Sequence, residues 1–145
     1  MPIGGKSVGR DITLQVTTQD GVLNITSDMI SEFDMKPDAE FKDYVPVTGL
    51  RESDVLHLGW SGFIELIRKN SVMDTFWALM ESNYFAGENV EDATITETIQ
   101  EADGTISQWI YTGVSLLLQE AGSWKGNEYV MQRLSCKASR KIKQV

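Results

Sequence analysis

One block of this sequence, residues 72–85, repeats its apolar side chains every three to four positions. Almost everywhere else they repeat every second position. In "DITLQVT", Ile12, Leu14 and Val16 alternate with polar neighbours, and Asp20-Gly21 offers a hairpin turn before "VLNIT". "MISEFDM" alternates again, with Met29, Ser31, Phe33 and Met35 on one face. Leu56, Leu58, Trp60, Gly62, Ile64 and Leu66 line one side of a long half-buried strand, in which Gly59 and Gly62 mark a bend or bulge. "ATITETIQ", "TISQWIYT", "VSLLLQE" and "EYVMQRLSCKA" read as further strands, joined through "EADG" and the glycine-containing "AGSWKGN". In the helical block, Val72, Phe76, Leu79, Met80 and Asn83 form a broad stripe. Ser71 is placed to cap it, Asp74 stands in the capping-box position and Gly87 supplies a stop.

This pattern predicts a mainly β fold: an antiparallel β-sandwich or barrel of about seven or eight strands with one packed α-helix over residues 72–85. Trp60, Phe76 and Leu79 are expected in its core. Residues 36–54, "KPDAEFKDYVPVTGLRESD", lose the periodicity and hold two of the three prolines, which predicts a long loop. The 145 residues suit a single domain over 1–145, with an N-terminal arm at 1–10 and a basic C-terminal tail at 139–145.

The formal net charge of −8 argues against phosphate or groove binding by the chain as a whole. The charge is uneven. Residues 88–103 carry six acidic side chains and no basic one, whereas "RLSCKASRKIKQV" carries five basic side chains and no acidic one. These read either as a solvated acidic face and an exposed tail, or as complementary patches that meet between copies. No apolar run approaches the roughly 18 residues that span a bilayer, and "MPIGGKSVGRD" does not read as a signal peptide, so no membrane partner and a cytosolic origin are expected. With Cys136 as the sole cysteine, an intrachain disulfide and a multi-thiolate metal site are excluded.

Signs of catalysis are weak. His57 is the only histidine, "GWSGF" lacks the spacing of a nucleophile elbow, and "GGKSVG" lacks that of a phosphate loop. Glu97, Glu101 and Asp103 could pair as acid and base or hold a hard cation, but they fit a solvated acidic face better. No enzyme activity, cofactor or metal is expected.

The order of elements is distinctive: "DVLHLGWSGFIELI", then the helix "SVMDTFWALMES", then the hairpin "ATITETIQEADGTISQWIYTGVSLLL", a glycine-containing turn and a last strand. Over residues 11–138 this resembles the tail tube proteins of long-tailed bacteriophages, whose fold recurs in type VI secretion and other contractile injection systems. The resemblance implies a structural subunit whose hexameric rings stack into a hollow conduit for the genome. It implies a virion tail location after synthesis in the host bacterial cytoplasm, and a sheath, tape-measure, baseplate or terminator protein as further partners. DNA would pass without specific binding, along a lumen that Glu97, Glu101 and Asp103 could line. The segment 36–54 would correspond to the family's long loop, with Lys36, Asp38, Phe41, Tyr44, Val45, Val47 and Arg51 as inter-ring contacts. A secretion-system tube or tube initiator of the same fold, and a small ligand-binding β-barrel from a different class, stay open as alternatives.

Overall fold

The computed structural model describes residues 2–144; Met1 and Val145, the outer ends of the expected arm and tail, lie outside the described residues. The strands are β1 (Ile12–Thr18), β2 (Gly21–Leu23), β3 (Ile30–Tyr44), β4 (Glu52–Ile67), β5 (Ala93–Gln100), β6 (Ile106–Glu120), β7 (Met131–Ala138) and β8 (Arg140–Lys143). A single α-helix, α1 (Val72–Phe85), follows β4. All strand pairings are antiparallel, in the order β2-β1-β5-β6-β7-β4-β3, with β8 added beside β6. The mainly β architecture with one helix is therefore the one that the alternation predicts.

β6 joins the two halves of this sheet. Its first half pairs with β5 and β8, and its second half pairs with β7. Gly113 stands at the changeover with φ +61, and a Cβ there would lie 2.5 Å from the Ser139 hydroxyl oxygen. Glycine allows both the left-handed backbone and that close approach. The halves face each other around Leu14, Val16 and Ile95 on one side and Ile64, Leu66, Leu134 and Cys136 on the other, with Tyr111 and Val114 from β6. Each fully buried aliphatic side chain of this kind contributes about 1.5–3 kcal/mol of transfer free energy.

The helix packs on the sandwich through few residues. Met73 is fully buried, and Phe76 packs on the core from a half-buried position. Leu79 does not belong to the core: it is 43% exposed, because α1 touches the sandwich along a stripe narrower than its apolar sequence suggests. Ser71 makes no side-chain cap either. The Val72 N–H donates to Asn70 Oδ1 at 3.1 Å instead. Asp74 accepts from Arg68 at 2.9 and 3.1 Å and from the buried Gln132 amide at 2.9 Å, tying the helix start to β7.

Three further expectations need correction. Residues 36–54 are not a loop: β3 runs to Tyr44 and β4 starts at Glu52, leaving only a turn between them. The expected basic tail is largely the strand β8, paired with residues 109–112 of β6. The shared face of Leu56, Leu58 and Trp60 is broken by a bulge. Asp38 pairs with Gly59 and Ala39 with His57, so Leu58 is extra and the facing alternates afresh beyond it. Gly59 has φ +115 at this point, with an added Cβ 2.5 Å from the Ala138 carbonyl oxygen.

Candidate functional site

Beyond the bulge, β4 leaves the sandwich. Its pairing with β7 begins only at Trp60, so residues 39–57 form a two-stranded ribbon with no third strand among the described residues. Six residues on each strand at about 3.3 Å apiece carry the ribbon roughly 20 Å outward. A lone two-stranded hairpin is marginally stable in water. Here the local supports are cross-strand and polar: Tyr44 donates to the Glu52 carboxylate, Ser53 donates to Asp43, and Arg51 pairs with Asp43 at 3.3 Å in solvent. Such pairs contribute about 0.2–1 kcal/mol each.

The ribbon nevertheless displays an apolar surface. Phe41, Tyr44, Val45, Val47, Leu50, Val55 and Leu58 are all exposed, and Val47 at the turn has no shielding at all. Five of the seven residues expected as loop contacts thus cluster beyond the bulge, namely Phe41, Tyr44, Val45, Val47 and Arg51. Lys36 lies at the base opposite Ser61, and Asp38 accepts from the Ser61 hydroxyl at 3.0 Å. His57 sits exposed on the ribbon opposite Ala39. Leu50, Val55 and Leu58 were not singled out as contacts by the sequence. The signal that bore on them was Gly59, whose bulge turns this part of β4 away from the core.

The acids expected to share one face are separated. Glu97 points between the sheet halves and is buried, so it belongs to no surface. Its carboxylate lies 3.6 Å from Lys141 Nζ, too long for a hydrogen bond but close for an ion pair with 8% and 20% of the two side chains exposed. Lys141 also lies over the rings of Trp60, Trp109 and Tyr111 at 5.1, 4.9 and 5.3 Å. Burial, then the Glu97 charge and a hydrogen bond to it, push the Tyr111 hydroxyl well above the usual tyrosine range. At this point the acidic and basic stretches of the sequence meet inside one chain. Glu101 and Asp103 lie outside, at the β5–β6 turn. There the Thr105 hydroxyl and N–H hold Asp103 below the usual carboxylate range. Trp60 packs on the core from a half-buried position.

A second apolar surface, absent from the sequence expectations, runs along the outer side of α1. Trp77, Met80, Glu81, Tyr84, Phe85 and Val90 line an open groove of about 390 Å³, with Tyr84 71% and Phe85 77% exposed. Among the described residues, no group of three or more His, Cys, Asp or Glu side chains is arranged to hold a metal ion.

No family model matches the sequence, and no curated protein matches it. Solved structures do share the fold over essentially its whole length. A chain in the sheath/tube terminator of an extracellular contractile injection system (PVC), in its extended state, is 18% identical; the match covers 100% of this chain and 98% of that one at a TM-score of 0.60. A chain in the six-fold symmetrised baseplate of the anti-feeding prophage is 12% identical, with 98% and 97% covered and a TM-score of 0.62. A chain from the tail of an empty GTA particle refined with C6 symmetry is 14% identical, with 96% and 99% covered and a TM-score of 0.54. The fold is thus one found in chains of tail-like particles.

Proposed function

We propose that this protein is a structural subunit of a tail-like particle, in which hexameric rings stack into a hollow tube that conducts a genome or other cargo. The observation that carries this reading is the two-stranded ribbon of residues 39–57, which displays apolar side chains that its own chain leaves uncovered. Monomeric proteins rarely expose a large apolar surface without a partner for it. The likeness of the whole fold to chains from a terminator, a baseplate and a six-fold tail supports the same conclusion.

In this reading the ribbon is the inter-ring element. Phe41, Tyr44, Val45, Val47 and Leu50 supply the attachment, and the exposed charges around Arg51 set its register. A net charge of −8 favours passage of a polyanion without adhesion. Glu97 has no part in lining a lumen; Glu101 and Asp103 remain surface candidates for it. Sheath, tape-measure, baseplate and terminator proteins are the partners to be tested, and the virion tail is the expected location. A tube-end subunit is the second reading, favoured by the terminator and baseplate origins of two similar chains.

Replacing residues 40–56 with an Asn-Gly turn tests the assignment, since that dipeptide closes a hairpin unaided. Sedimentation velocity should show the native chain associating as its concentration rises, and the shortened chain folded but monomeric. Assembly of the shortened chain at native concentrations would remove the ribbon from the account.

A further inference from the structure

We propose that the ribbon tip of one copy seats in the groove along α1 of a neighbouring copy. The inference rests on the assembly reading above and names the surface that receives the ribbon.

A closed ring, or a stack of rings, is built from heterologous contacts, in which a surface on one copy meets a different surface on the next. Among the described residues, two exposed apolar surfaces have opposite shape, apart from single exposed side chains such as Trp124 and Tyr129. One is a projecting ribbon turn, and the other is an open groove whose lining holds one charged side chain, Glu81. They lie on different elements. Every ribbon residue except Pro46 is exposed in the chain alone, so the tip is not seated on its own helix.

Charge favours the same pairing. Within residues 44–51 of the tip the only charged side chain is Arg51. Glu81 lines the groove, Glu88, Glu91 and Asp92 flank its Val90 in the sequence, and residues 70–124 hold no lysine or arginine. Arg51, which shares its charge with Asp43 at 3.3 Å in solvent, would meet a trough whose lining holds a single charge, the anion Glu81. The apolar centre supplies affinity, and the charges steer and orient the approach. A ribbon–ribbon contact between two copies would leave the groove uncovered. Made through the same edge of both copies it would also be isologous, which closes a pair and builds no ring.

Two variants decide the matter. Val47→Asp disables the tip, and Tyr84→Asp disables the groove. Both positions are exposed, so the subunit fold is expected to survive, and circular dichroism checks this. Each variant alone should associate at least about tenfold more weakly than the native chain, the scale on which truncated interface anchors act. Mixed in equal amounts, they should form a dimer and nothing larger, because each pair then holds one intact tip and one intact groove. A photo-crosslinking side chain at position 47 of the otherwise native chain should be recovered on a peptide containing Tyr84 or Phe85 of another copy. Normal assembly of Tyr84→Asp, failure of the mixture to dimerise, or crosslinks confined to another part of the chain would each overturn the groove assignment. If the native chain assembles and Val47→Asp does not, those outcomes leave the assembly reading standing. Absence of association by the native chain at any concentration would remove both.

Discussion

Lys141→Met is the substitution whose cost the structure defines most closely. Lys141 lies in β8, which the sequence presents as a solvated basic tail. In the fold its ammonium group is surrounded by Trp60, Trp109 and Tyr111 and lies 3.6 Å from the buried Glu97 carboxylate. Methionine keeps most of the stem's packing but removes the charge, leaving Glu97 buried without its cation. Breaking a buried ion pair from one side costs about 3–5 kcal/mol. Cation–π contacts add about 0.5–2 kcal/mol. Residual exposure of Lys141 and the 3.6 Å separation reduce the sum, so a loss of about 2–4 kcal/mol is expected. At a urea dependence of about 2 kcal/mol per molar, this lowers the unfolding midpoint by roughly 1–2 M. The assay is urea unfolding of dilute protein followed by tryptophan fluorescence, to which Trp60 and Trp109 contribute two of the four tryptophans. Glu97→Gln in the same chain should bring the double variant back to within about 1 kcal/mol of native, since the orphaned charge is then gone. A midpoint shift below about 0.3 M for Lys141→Met, or a double variant no better than the single one, would refute the reasoning.

Helix packing makes a paired prediction: Phe76→Ala should lower stability by about 2–4 kcal/mol, and Leu79→Ala by less than about 1 kcal/mol, measured in the same urea experiment. Equal costs would mean that α1 is rotated relative to the core. Burial pushes the Cys136 thiol up to about 12, so a thiol reagent should fail to label the native chain at neutral pH and react only after unfolding. Because the folded thiol titrates above the unfolded one, its contribution is intact below about pH 9 and is lost as pH rises from there toward 12; Cys136→Ala should flatten that part of the stability profile. His57→Gln should leave stability and assembly unchanged within about 0.5 kcal/mol, because the side chain is exposed; loss of assembly in a folded variant would give it a role at the interface.

Much of the fold was legible because alternation records burial. Leu14, Val16, Ile64, Leu66, Ile95, Leu134 and Cys136 all lie at period-two positions, and all are in the core. The same fact explains the largest error. Residues 39–44 and 52–54 are strand without a buried face, so their sequence has no reason to alternate, and this part of the ribbon reads as a loop. Its exposed residues Phe41, Tyr44, Val45 and Val47 were legible only as apolar side chains in a charged, irregular stretch. The register beyond Gly59 was hidden for a different reason. One bulged residue moves Leu56 to the opposite face from Trp60, and a glycine announces a bulge without giving its direction. Lys141 and Glu97 were assigned to the surface because single charges are expensive to bury. Only the fold brings them together, from β5 and β8, inside an aromatic setting. The groove along α1 was missed because Trp77, Tyr84 and Phe85 look like core in a helical stripe, whereas the sandwich covers only part of it.

The most direct test of the structural-subunit reading is electron microscopy of the purified chain over a rising concentration series, with rotational averaging of end-on particles. Rings with six-fold averages that stack into hollow tubes at the highest concentrations are expected. Monodisperse single subunits throughout, with the ribbon as exposed to hydrogen exchange at high concentration as at low, would contradict it.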